Sequence, residues 1–270
     1  MPGLIRPDFD AEHRKGLINL THQNINKSQY HNMNIALIGY GKMGKTIEVL
    51  AEADGHQIVL KIDQDNYDDL TTENLQKADV AIEFTRPESA FSNISACIEA
   101  GVPVVSGTTA WLDQYDAVAQ LCKEKGGAFF YASNYSIGVN ILFAINRQLA
   151  KLMNEQPQYE VSMEEIHHTA KLDAPSGTAI TLAEGIIDEV ERKEDWVNDE
   201  NAGTNELSII SKRVDPAPGT HVIQYSSVID TITLSHEAHT RAGFARGALA
   251  ASLWLVGKKG VFGMKDMLGF

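Results

Sequence analysis

Apolar positions gather in short runs from Met33 onward. Residues 35–38 are apolar and end in glycines, residues 58–62 are rich in β-branched side chains and end at Asp63, and residues 80–84, 102–105 and 128–131 repeat the pattern. Between the runs the period changes: Met43, Ile47, Leu50 and Ala51 share one helical face, and residues 112–125 form a helical stretch. Short apolar strands alternating with helices predict a parallel sheet covered on both faces. The first part of the chain is therefore expected to be an α/β domain, a Rossmann-type doubly wound parallel sheet.

The texture then shifts. Residues 137–153 predict a long amphipathic helix and 159–168 a strand, and Ala179, Leu182, Ala183, Ile186, Ile187 and Val190 recur at helical spacing. After a charged, turn-rich stretch over 191–205, strands are expected at 207–214, 221–227 and 231–238, with Pro216, Pro218, Gly219 and Asp230 in the turns between them. Strands joined by short turns predict a second α+β domain with a mixed or antiparallel sheet. An alanine-rich apolar helix over 244–256 closes the pattern. The expected division is 33–132 with 240–270 as one domain and 133–239 as another. Residues 1–32 are polar and aperiodic, with net charge +1 against −14 for the remainder, and are read as a disordered N-terminal extension.

The first chemistry-bearing motif lies where the first strand meets the first helix. Gly39-Tyr-Gly41-Lys42-Met43-Gly44 is a G-x-G-x-x-G loop, and Asp63 ends the next strand about twenty residues later. Gly39 suits a tight turn, Gly41 lets the backbone approach a pyrophosphate, and Gly44 lets the helix pack closely. The helix N-terminus offers N–H groups to phosphate. Asp63 is placed to accept from adenosine ribose hydroxyls and disfavours a 2′-phosphate, although Lys42 and Lys45 stand beside the loop. NADH is therefore favoured over NADPH. Residues 83–88 and 106–109 form further loops at strand C-termini, where small hydroxyl residues offer donors to a nicotinamide amide or ribose.

The second motif is Glu165-Ile-His167-His168-Thr-Ala-Lys171-Leu-Asp173-Ala-Pro175-Ser176-Gly177-Thr178-Ala179. Adjacent histidines on a strand point to opposite faces, which argues against a simple two-histidine metal site, unless the backbone turns at the strand end and brings both to one cleft. No metal is expected. Asp173 is read as the N-cap of the following helix, with Pro175 in its first turn and the N–H groups of Ser176, Gly177 and Thr178 forming an anion cradle. Imidazoles, an ammonium and a helix end together suit a small dicarboxylate.

Composition narrows the partners. The 270-residue chain carries a net charge of −13, which disfavours nucleic acid and anionic membrane surfaces. No apolar run reaches the roughly 18–20 residues of a membrane span, and the N-terminus lacks the apolar core of a signal peptide. A cytoplasmic location follows as the expectation. Cys97 and Cys122 lack metal-ligand or disulfide spacing and are read as reduced and buried.

Taken in order, Gly39–Gly44, residues 84–88, Gly107-Thr108-Thr109, residues 133–140 and residues 165–179 resemble the 4-hydroxy-tetrahydrodipicolinate reductase (dihydrodipicolinate reductase) family of lysine and diaminopimelate biosynthesis. The resemblance runs from Met33 to the C-terminus, and the 167–178 segment is its specific part. It implies an NAD(P)H-dependent oxidoreductase that reduces 4-hydroxy-tetrahydrodipicolinate to tetrahydrodipicolinate with loss of water. It implies that His167 is the general acid and that His168 and Lys171 hold the substrate, with Lys171 counted among the catalytic groups. Ser176, Gly177 and Thr178 would cradle a carboxylate. Phe84, Gly107, Thr108 and Thr109, and Ala132, Ser133, Asn134 and Tyr135, would surround the nicotinamide and its ribose, with Arg241 nearby. A homotetramer, built through the sheets of the second domain, is implied by the resemblance alone. The chain departs from the family pattern in carrying Ala110 where glycine is frequent, Lys42 where arginine is common and Tyr135 where phenylalanine is common. The alternatives are a related dehydrogenase acting on another small carboxylate and a non-catalytic dinucleotide sensor.

Overall fold

A computed structural model describes residues 32–240 and 242–270. The N-terminal extension up to residue 31, and Arg241, lie outside the described residues. The chain divides into two compact units, one formed by residues 32–135 with Phe244–Gly269 and the other by Ser136–Gly243 with Phe270.

The first unit is built on β1 (Asn34–Ile38), β2 (Gln57–Ile62), β3 (Val80–Glu83), β4 (Val104–Ser106) and β5 (Ala128–Tyr131). A sixth strand, β11 (Gly260–Phe262), joins them in the order β11-β5-β4-β3-β1-β2, and every pairing is parallel. Alternation along the strands separates two buried faces. Ala36, Ile38, Ala81, Val104 and Phe129 pack with Ala90, Ile94 and Cys97 and with Val118 and Cys122. These partners come from the helices Pro87–Glu99 and Tyr115–Lys125, and both cysteines are free and buried. On the opposite parity, Phe130 meets Trp254 edge-on.

The helices before residue 100 are α1 (Lys42–Asp54), α2 (Thr72–Leu75) and α3 (Pro87–Glu99); α4 (Tyr115–Lys125) follows. The expected helix over 112–125 thus opens with a 3-10 turn, Leu112–Gln114. The helix α3, its Pro87 in the first turn, begins inside what the sequence reading treated as a loop.

The second unit holds α5 (Ile137–Asn154), β6 (Glu160–His167), α6 (Gly177–Ile187), β7 (Asp195–Val197), β8 (Glu206–Arg213), β9 (Thr220–Ser226) and β10 (Thr231–Glu237). Its sheet runs β10-β9-β6-β8-β7. The sheet is mixed: β6 pairs parallel with β8 and antiparallel with β9, while β9 and β10 form an antiparallel hairpin. So β8 and β9, consecutive in sequence, lie on either side of β6. Leu142, Ala150 and Met153 of α5 and Ala179, Leu182, Ala183 and Ile186 of α6 pack against Val161, Met163, Leu207, Ile209, Ile223 and Tyr225.

Two stretches differ from expectation. The charged segment 191–205 contains β7, anchored by Lys193, whose buried ammonium reaches Glu160 at 2.5 Å and the carbonyls of Thr204 and Glu206. The alanine-rich helix α7 (Ala242–Leu255) does not close the chain, since β11 and α8 (Met264–Leu268) follow it.

Candidate active site

In the first unit, the glycine loop leaves the C-terminal end of β1. Gly39 has φ +95°, and a Cβ there would lie 1.9 Å from the Phe84 carbonyl oxygen, so only glycine fits against the chain leaving β3. A Cβ on Gly44 would lie 2.3 Å from the Gly39 oxygen, whereas nothing stands within 4 Å of one on Gly41. The helix α1 starts at Lys42 without a side-chain cap. Its first-turn N–H groups have no acceptor within the helix, and the open edge at Gly41 suits a pyrophosphate. Asp63 is exposed at the end of β2, where its Oδ1 accepts from Gln64 N at 2.7 Å. Lys42 is exposed and Met43 half-buried. Tyr40 hydrogen-bonds Glu48, which also pairs with Lys61 at 2.9 Å.

The next two loops are tied together by Glu83, a fully buried carboxylate at the end of β3. It accepts from Ser106 Oγ at 2.6 Å, from Thr108 Oγ1 at 2.8 Å and from Thr85. Burial pushes its carboxyl above the usual range, against the pull of these hydrogen bonds. Thr108 therefore does not offer its hydroxyl outward as expected: it is buried and bridges Glu83 and Thr85 N. Tyr135 is likewise buried, donating to Ser106 O at 2.6 Å and packing against Phe84 and Phe130. The expectation placed it around the nicotinamide and its ribose; its hydroxyl ties it to the end of β4. Ala132 is buried, and Thr109 and Ser133 are exposed. A Cβ on Gly107 would lie 2.0 Å from the Phe84 ring. Ala110 adopts φ +59°, the left-handed conformation that favours glycine.

In the second unit, the period of β6 places Glu165 and His167 on the buried face, and His168 follows half-buried. The β9 register sets His221 opposite Glu165. Glu165 Oε2 lies 3.4 Å from His167 Nδ1 and 3.8 Å from His221 Nε2. The same carboxylate accepts from Ser176 N at 3.2 and 3.1 Å and pairs with Arg213 Nη2 at 3.3 Å. Arg213 also donates to the carbonyls of Asp173 and Lys171, holding the loop that carries the lysine. Lys171 Nζ contacts both carboxylate oxygens of Asp173 at 2.8 Å.

Two readings from sequence change here. Asp173 is not the helix cap. Ser176 is: its hydroxyl accepts from Ala179 N at 3.2 Å, while Asp173 is engaged by Lys171. Ser176 also leaves the anion cradle, because it is buried and its N–H serves Glu165. Gly177 and Thr178 stand in the first turn of α6. The His167 imidazole is shifted from its ordinary pKa. Burial lowers it, Glu165 raises it, and Lys171 and Arg213 lower it again, leaving it below 6.5.

His221, Glu165 and Arg213 were not singled out from sequence. Alternation along β6 was the available signal for Glu165; the other two depend on strand register. Ligand atoms of Glu165, His167 and His221 lie within 4.8 Å of one another, the spacing of a metal site. The donor set fits a cation poorly, since the Arg213 guanidinium and the Ser176 N–H already occupy the carboxylate.

Comparison with known proteins connects the two units to one chemistry. The dihydrodipicolinate reductase N-terminus and C-terminus family models match residues 33–135 and 138–268. The chain belongs to the dihydrodipicolinate reductase family. It is 48% identical over 238 residues to the 4-hydroxy-tetrahydrodipicolinate reductase of Christiangramia forsetii, covering 87% of this chain and 98% of the relative. The reductase of the same name from Chromobacterium violaceum is 38% identical over 203 residues, covering 72% of this chain and 75% of that one. A dipicolinate-bound dihydrodipicolinate reductase from Paenisporosarcina sp. TG-14 shares the fold, with a TM-score of 0.70 at 23% identity over 88% of this chain and 100% of that chain. The family comprises NAD(P)H-dependent oxidoreductases of lysine and diaminopimelate biosynthesis, and the first unit has the dinucleotide-binding fold this requires. Among the described residues, no helix is long and apolar enough to cross a membrane.

Proposed function

We propose that the protein reduces 4-hydroxy-tetrahydrodipicolinate to tetrahydrodipicolinate, with NADH preferred over NADPH and without a metal. The observation that carries this reading is the gathering of a buried imidazole, an ammonium and a helix N-terminus within residues 167–178 of a family member. The first-turn N–H groups of Gly177 and Thr178 take one substrate carboxylate, and Lys171 turns from Asp173 to the dianion. His168 orients the ring. The α1 N-terminus and Gly39–Gly44 hold the dinucleotide pyrophosphate, Asp63 takes the ribose hydroxyls, and Phe84, Gly107, Thr109, Ser133 and Asn134 border the nicotinamide end. The bound dinucleotide supplies the hydride.

The overall change adds a hydride and a proton and releases water, so a proton must be delivered. His167 delivers it from Nε2. Its lowered pKa leaves it mostly neutral in the free protein at pH 7, and the negative charge of the substrate favours the imidazolium on binding. The second unit also carries the tetramer contact, supported by the apolar Val228, Ile229 and Ile232 exposed along the β9–β10 hairpin. The setting is cytoplasmic.

His167→Gln tests the assignment. The expected result is a kcat lowered by roughly 10²-fold or more with KM within a few-fold. A kcat within about twofold of wild type overturns the role of His167.

A further inference from the structure

Glu165 has no place in the proposed contacts with substrate or dinucleotide, yet it lies at the centre of the second unit's polar cluster. Its side chain is fully buried. Burial alone would favour the neutral acid, but hydrogen bonds led by those from Ser176, together with His167, outweigh it and hold the carboxyl below its ordinary range. It is a carboxylate, fixed from one side by Ser176 N and from another by Arg213.

His167 presents its two nitrogens to different surroundings. Nδ1 is buried and lies 3.4 Å from Glu165 Oε2, a contact too poorly aligned to count as a hydrogen bond as it stands, and Nδ1 makes no hydrogen bond to any other group among the described residues. Nε2 faces Gly219, where a Cβ would stand 3.1 Å away, so any larger residue at 219 would press on that nitrogen. The His221 ring stacks edge-on against His167 with centroids 5.2 Å apart, limiting rotation of the imidazole. His221 cannot replace the carboxylate as a charge partner. Burial pushes its pKa down to about 4, so it is neutral at pH 7, and its Nε2 lies 3.2 Å from Ser176 Oγ.

We infer that Glu165 is a positioning residue for His167: it orients the Nδ1–H toward itself and stabilises the imidazolium, so that Nε2 is the nitrogen that carries the transferable proton. The inference rests on the reading that His167 is the proton donor. The charged and titratable groups around His167 are Glu165 on its own strand, Lys171 and Asp173 on the following loop, Arg213 on β8 and His221 on β9. Lys171 and Arg213 oppose a positive charge on the imidazole, His221 is neutral, and Asp173 is engaged by Lys171 and is exposed. Glu165 is therefore the one buried anion among them. With both nitrogens protonated, loss of the Nε2 proton to substrate returns the ring to the neutral Nδ1–H form without rotation.

The test combines nitrogen-15 NMR of histidine-labelled full-length protein with kinetics. The His167 signals are assigned by their loss in His167→Gln. The expected wild-type result is a neutral imidazole protonated on Nδ1. Glu165→Gln is expected to lower kcat roughly tenfold or more with KM within about twofold, since an orienting carboxylate acts mainly through its imidazole. The acidic shift of the His167 titration should be about one pH unit. Glu165→Asp keeps the charge at greater distance and should fall between the two. A neutral His167 protonated on Nε2 in wild type overturns the inference even if Glu165→Gln fails to fold. So does a folded Glu165→Gln with unchanged kcat and titration. Should His167→Gln itself retain kcat, the proton-donor reading fails instead, and the two failures are distinguishable.

Discussion

His221 makes the fold sensitive to mild acid, and the size of the effect follows from its surroundings. The imidazole is 4% exposed, opposite Glu165 and edge-on to His167, and burial pushes its pKa from 6.5 down to about 4. The unfolded chain, with His221 near 6.5, binds more protons than the native state at every pH between these values. Stability from this residue is therefore fully present above pH 6.5 and lost as pH falls toward 4. At about 1.4 kcal/mol per pH unit, the whole difference is worth roughly 3 kcal/mol, and about 2 kcal/mol of it falls between pH 7 and pH 5. His167, His56 and His236 are also lowered chiefly by burial and act in the same direction, so the residue must be isolated by substitution. His221→Gln keeps an amide facing Ser176 Oγ and removes the titration. Urea unfolding of wild type and variant at pH 7 and pH 5 should show that the variant loses about 2 kcal/mol less over that interval. Equal losses in the two proteins would refute the reasoning, whatever the absolute stability of the variant.

Other substitutions separate fold from function. Gly41→Ala has open space for its methyl group and should leave the melting temperature unchanged, while weakening NADH binding about tenfold or more in a fluorescence titration. Gly44→Ala meets the Gly39 oxygen and should destabilise the fold by about 1–3 kcal/mol in urea unfolding. Ala110→Gly releases a left-handed alanine and should raise stability by up to about 1 kcal/mol. Lys171→Ala should raise KM and lower kcat together in steady-state kinetics, each by about tenfold, because the ammonium both binds the dianion and holds it in the orientation the chemical step needs.

The alternation of strands and helices made the parallel sheet legible, and the glycine loop marked the turn from β1 into α1. Strand period also carried the face of His167. What escaped the sequence is non-local. His221 and Arg213 reach Glu165 only because β8 and β9 flank β6, a register that no local pattern encodes. β7 and β11 are three residues each, too short for alternation to show. The helix cap fell to Ser176 rather than Asp173 because both residue types cap well, and Lys171 and Glu165 decide the outcome through contacts outside the helix.

The most direct test follows absorbance at 340 nm with purified protein and NADH or NADPH, the substrate being generated in place from pyruvate and aspartate semialdehyde by the enzyme that condenses them. The expected result is rapid cofactor oxidation that requires the condensing enzyme, faster with NADH, and slowed roughly 10²-fold or more in His167→Gln. Folded protein that binds NADH yet oxidises neither cofactor in the presence of substrate would contradict the assignment.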